Sequence, residues 1–120
     1  MKQEEFNEIF RQRTKALSLE IIKIVSALKY SDALTVIRRQ LLKSVTSVAA
    51  NFRAVCRARS DKERYSKLCI VVEEADETLF WIEMLIDGGF ILAEKIETQR
   101  KEAEEILKVM AAFKKKLGRI

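Results

Sequence analysis

Enzymatic chemistry needs side chains that move protons, bind metal or attack substrate, and this sequence offers few in a usable combination. It has no histidine. That removes Ser-His-Asp and Cys-His catalysis, His-ligated zinc, and the Glu-x-x-His motifs of di-iron bundles. The acidic run Glu73-Glu74-Ala75-Asp76-Glu77 puts Glu73 and Glu77 four residues apart, on one face of a helix. Without histidine or a second matching motif, it reads as a solvated or ion-paired surface, not as a metal site or an acid–base pair. Cys56 and Cys69 lie four residues before and nine after Ser60. In a hairpin turning at Ser60 they would not be level, so they read as small core residues and not as a disulfide. No catalytic residue, cofactor or metal is assigned, and the chain reads as non-enzymatic.

The cations are better organised. From Ala33 to Arg59 there are six basic residues, Arg38, Arg39, Lys43, Arg53, Arg57 and Arg59, and no acidic one. At 100° per residue, Arg39, Lys43, Thr46, Ala50, Arg53 and Arg57 share a sector about 80° wide. Such a ridge, continued by Arg59, suits the phosphate backbone of RNA or DNA. It also suits ion pairing with carboxylates of the same chain or of a neighbouring subunit, with Lys43 roughly level with Glu77. No aromatic residue interleaves with the cations, which argues against base stacking on the ridge. Beside it, Gln40, Ser44, Ser47 and Asn51 form a small-polar stripe that permits close approach of another helix or subunit. Trp81, with Phe80, Met84 and Leu85, supplies more apolar surface than one core requires, which points to a thick core or an oligomer interface.

These residues must be placed by helices. There is no proline and only three glycines, too few punctuators for a strand-and-turn architecture. Apolar residues recur at three- and four-residue steps through four stretches, predicting helices over 4–28, 33–58, 61–86 and 93–117. The stripes are Phe6, Ile9, Phe10, Leu17, Ile21, Val25 and Leu28, with a gap at Arg13; Leu34, Ile37, Leu41, Val45, Val48, Phe52 and Val55; Tyr65, Leu68, Val72, Ala75, Leu79, Ile82 and Ile86; and Ile96, Ala103, Leu107, Met110, Phe113 and Leu117. Ser31 or Asp32 can cap the second helix. Ser60-Asp61-Lys62-Glu63 has the form of a capping box, and Asp87-Gly88-Gly89 that of a helix stop. Lys114, Lys115 and Lys116 suit the dipole at the end of the last helix. Short connections between long helices make neighbours antiparallel.

The chain of 120 residues is of single-domain size, with 48% hydrophobic and 34% charged residues and a net charge of +5. Its charged start lacks the apolar core of a signal peptide, and charges interrupt every apolar run before it could span a membrane. The expectation is a cytoplasmic protein with reduced thiols.

Two segments carry a family resemblance. One is Gln40-Leu41-Leu42-Lys43-Ser44-Val45-Thr46-Ser47-Val48-Ala49-Ala50-Asn51-Phe52-Arg53. The other is Arg57-Ala58-Arg59-Ser60, continuing through Glu73-Glu74-Ala75-Asp76-Glu77-Thr78 to Trp81-Ile82-Glu83. Together they resemble the small bacterial four-helix-bundle proteins encoded in 23S rRNA intervening sequences. The resemblance implies a homopentamer. It also implies kinship with the accessory variability determinant protein of diversity-generating retroelements, a basic pentameric barrel that works with nucleic acid and a reverse transcriptase. Many members end the first motif in Ala-Glu-Gly. This chain has Arg53-Ala54-Val55 there, which places it in a different branch.

The sequence thus predicts an all-α, antiparallel up-down-up-down four-helix bundle over residues 1–120, acting as an oligomer. The proposed contacts to RNA or DNA are Arg39, Lys43, Arg53, Arg57 and Arg59. The alternative is a scaffold whose ridge is ion-paired within the assembly.

Overall fold

The computed structural model describes residues 1–118. Its elements are α1 (Gln3–Ser26), α2 (Asp32–Cys56), α3 (Asp61–Asp87), a 3-10 turn (Ala93–Lys95) and α4 (Glu97–Leu117), with no strand among the described residues. The four long helices pack in sequence order as an antiparallel bundle. The broadest contact is between α2 and α3, and the sparsest of the four-way ring is between α1 and α4. The 46 Å long axis is set by helices of about 25 residues rising about 1.5 Å each.

Each turn has a local cause. Ser31 Oγ accepts from the Leu34 amide at 3.1 Å and so caps α2. Ser60 Oγ accepts from the Glu63 amide at 3.0 Å. The Glu63 carboxylate reaches back to the Arg59 amide, at 3.4 Å, one residue before the amide that a full capping box would engage. At the end of α3, Gly89 takes φ 75°. Its amide bonds the Ile86 carbonyl and that of Phe90 bonds the Leu85 carbonyl, both at 3.0 Å, which is a Schellman closure.

The α2 stripe is buried over all seven expected positions, from Leu34 to Val55. In α1, Phe10, Leu17, Ile21 and Val25 are buried and Ile9 is exposed. The gap around Arg13 is filled by Thr14 and Ser18, both buried, whose hydroxyls donate to the carbonyls of Phe10 and Thr14 one turn back. The axis of α3 differs from the expected stripe. Its buried line is Leu68, Val71, Ala75, Thr78, Ile82 and Leu85, while Tyr65, Val72, Leu79 and Ile86 are half-buried flanks. Thr78 reads as polar, but it occupies the centre because its hydroxyl donates to Ser44 Oγ on α2 at 3.1 Å. The last helix starts at Glu97, four residues later than the pattern suggests. Ile96 is fully buried with φ −132°, so the turn at Ala93–Lys95 cannot run helically into α4.

The void between Thr14, Val45, Ala75, Thr78 and Ala103 measures about 10 Å³, at most one water. No helix among the described residues is long and apolar enough to cross a membrane.

Candidate nucleic-acid interface

The core stripe of α2 faces inward, so the opposite sector faces out. Arg39, Lys43, Arg53, Arg57 and Arg59 are all exposed. Arg39, Lys43 and Arg53 lie within the helix, Arg57 is its C-cap, and Arg59 stands in the turn before Ser60. Among the described residues, none of the five takes part in an ion pair; the pairs involve Arg11, Arg13, Arg64, Arg100 and Lys108 instead. Arg38, the sixth cation of the stretch, is turned inward. Its Nη1 donates to the Val25 carbonyl at 3.0 Å, so it serves the C-terminal end of α1.

The Ser44–Thr78 hydrogen bond sets the register of α2 against α3. It brings Lys43 close enough to act on Glu74. The Glu74 carboxyl is held above the usual carboxylate range, first by partial burial and then by the neighbouring Glu77 charge, with Lys43 opposing both. Glu73, Asp76 and Glu77 remain exposed. No group of three or more potential metal ligands is assembled among the described residues.

The small-polar stripe divides. Ser44 is buried, lies at the α2–α3 contact and also donates to the Leu41 carbonyl. Ser47, Asn51 and Gln40 are half-buried. Asn51 Nδ2 donates to the Ser47 carbonyl and hydroxyl oxygens at 2.9 and 3.0 Å. Trp81 is half-buried against the core, and its indole N–H is buried without a partner among the described residues. Its ring meets Phe80 edge to face, with centroids 4.8 Å apart. Phe80 and Met84 carry the exposure, at 48% and 38%, while Leu85 is fully buried.

The ridge also has a neighbour that sequence reasoning missed. Between α1 and α2 runs an open groove of about 650 Å³. Arg53, Arg57, Thr46 and Ala50 form its α2 wall, and Arg11, Lys15, Leu19 and Ile22 line the α1 side. The signal was present, because residues 11, 15, 19 and 22 follow helical steps of four, four and three. Leu19 and Ile22 lie off the core stripe, which is an odd place for two large apolar residues. Arg11 pairs with Glu8, which also accepts from Gln12. Cys56 is half-buried and free, as is Cys69. Burial pushes the Cys56 thiol pKa up, against the pull of Arg11, which leaves it a poor nucleophile.

The family model described as 23S rRNA-intervening sequence protein matches residues 7–112. The chain belongs to that family. The match spans all four helices, the α2 ridge and the polar stripe included. A solved structure similar to this chain is that of a protein of unknown function from the S23 ribosomal protein family of Bacteroides thetaiotaomicron. The two are 28% identical, the alignment covers 91% of this chain and 97% of that one, and the TM-score is 0.82. The curated proteins contain no match.

Proposed function

We propose that this protein is a non-enzymatic, oligomeric binder of RNA or DNA that engages phosphate backbone through the outer face of α2. The observation that supports this reading is the state of the ridge. Five cations stand exposed along one helix and its following turn, and none is ion-paired among the described residues. Free cations release counterions from a polyanion, whereas paired ones must first give up their partners. The family resemblance adds a homopentameric assembly, for which exposed Phe80 and Met84 are available apolar surface. Kinship with the retroelement protein would add a reverse transcriptase as a protein partner.

A second reading has its own observation. Glu73, Asp76 and Glu77 are exposed on α3, and a neighbouring subunit's ridge could meet them. The two readings separate on Arg39→Glu/Lys43→Glu. Nucleic-acid binding predicts an intact oligomer by light scattering and a large loss of affinity. The scaffold predicts disassembly. In the wild type, five phosphate contacts give a log–log salt slope of about −4.5 for duplex DNA. No binding at low salt to any nucleic acid would refute the proposal.

A further inference from the structure

We infer that the groove between α1 and α2 seats the bases of a single strand, so that the preferred ligand is single-stranded nucleic acid, bound without regard to sequence. This rests on the nucleic-acid reading above and refines it. Two large apolar side chains lie open to water there, Leu19 at 51% and Ile22 at 37% exposure, with Ala49 and Ala50 across from them. Cations stand on both sides, Arg11 and Lys15 on α1 and Arg53 and Arg57 on α2, and no carboxylate lines the groove. Glu8 holds Arg11 from outside it.

Cations toward one end of the groove and apolar side chains toward the other select a ligand that carries negative charge beside apolar faces. A duplex presents phosphates and base edges but keeps its base faces stacked inside, so it cannot cover Leu19 and Ile22. An unpaired strand exposes those faces. Guanidinium planes such as those of Arg11, Arg53 and Arg57 can stack on bases where no aromatic ring is present. The α1 wall from Arg11 to Ile22 is about 16 Å long at 1.5 Å per residue, room for more than one unit of a strand.

Sequence indifference follows from the hydrogen bonding. The Ser18 hydroxyl already donates to the Thr14 and Val45 carbonyls, that of Thr46 to the Leu42 carbonyl, and the Gln12 amide to Glu8. The hydroxyl protons of Ser18 and Thr46 and one amide proton of Gln12 are thus committed within the chain. What is left to offer is mainly charge, guanidinium faces and apolar surface, and stacking on such faces tolerates any sequence because every base has a π-face.

The test is fluorescence anisotropy at one fixed salt with a labelled oligouridine, a labelled oligocytidine and a labelled duplex of equal length. The wild type should bind both strands alike and about five- to tenfold more tightly than the duplex. Leu19→Ser/Ile22→Ser should erase that margin and leave duplex affinity unchanged. Lys15→Gln, on the exposed α1 side, should weaken strand binding with Leu19 and Ile22 intact. Duplex binding equal to or tighter than strand binding, or a serine variant that retains the margin, would overturn the inference and leave backbone binding standing. So would a serine variant that changes the oligomer mass, since a second copy would then occupy the groove. Failure of all three probes at low salt would instead remove the nucleic-acid reading itself.

Discussion

The guanidinium of Arg13 grips the carboxylate of Glu102 with two hydrogen bonds, Nε to Oε2 at 2.9 Å and Nη2 to Oε1 at 2.6 Å. The pair ties α1 to α4 across the sparsest contact of the bundle. The Arg13 guanidinium also lies over the Phe10 ring, 4.5 Å from its centroid. Its pKa is raised, chiefly by the hydrogen bonding to Glu102. Both side chains are about one-third exposed, at 33% and 30%, so solvent screens the attraction. Arg13→Ala and Glu102→Gln should each destabilise by about 1 kcal/mol in urea unfolding. Arg13→Lys, which loses the planar fork and keeps the charge, should fall between. A double variant as unstable as the sum of the singles would show that the pair is not coupled.

A second prediction concerns the polar contact inside the α2–α3 interface. The Thr78 hydroxyl shares one proton between Ser44 Oγ at 3.1 Å and the Glu74 carbonyl at 2.8 Å. Thr78→Val keeps the shape and should destabilise by about 1 kcal/mol. Adding Ser44→Ala should make matters little worse, because both ends of the bond are then apolar. Ser44→Leu should do more harm, about 1–3 kcal/mol, since the site is fully packed. Chemical melts of the three variants against the wild type would check the order.

The two adjacent glycines should respond differently. Gly89 holds a positive φ but has open space where a Cβ would go. Gly89→Ala therefore carries only the left-handed strain, about 1 kcal/mol. At Gly88 an added Cβ would lie 2.8 Å from the Met84 carbonyl oxygen and 2.8 Å from the Phe90 ring. Gly88→Ala must displace that ring from its place after α3 and should lower the thermal midpoint further than Gly89→Ala. The reverse order would contradict the packing described here.

The limits of the sequence can be traced to particular residues. The bundle was legible because α2 alternates cleanly between apolar and polar faces and because Ser31, Ser60 and Gly89 punctuate the chain. The axis of α3 was not, because that helix is apolar around most of its circumference and its centre holds a threonine whose hydroxyl is satisfied only by a residue 34 positions away. The late start of α4 was hidden because Ile96 fits the helical stripe while its backbone does not. On the surface, the cations of α2 could be read from spacing alone. Their freedom from ion pairs and the α1 side of the groove could not, since both depend on which helix lies beside which.

The last prediction turns on proton linkage at Glu74. Burial, and then the Glu77 charge, hold its carboxyl pKa above the usual value, while Lys43 pulls it down. The folded chain therefore binds this proton more tightly than the unfolded chain does. For a group whose pKa is raised on folding, the stabilising contribution is complete below the unfolded value and is lost as pH rises through the folded one. Ionised Glu74 is thus a liability at neutral pH and harmless near pH ~3, where it is protonated in both states. Glu74→Gln should raise the thermal midpoint at neutral pH, and the gain should vanish on acidification to about pH 3. Lys43→Gln removes the opposing charge and should lower the midpoint at neutral pH in the wild-type background but not in the Glu74→Gln background. Midpoints of the four proteins measured by circular dichroism across this range decide it. A Glu74→Gln gain independent of pH would locate the effect in packing and not in the proton.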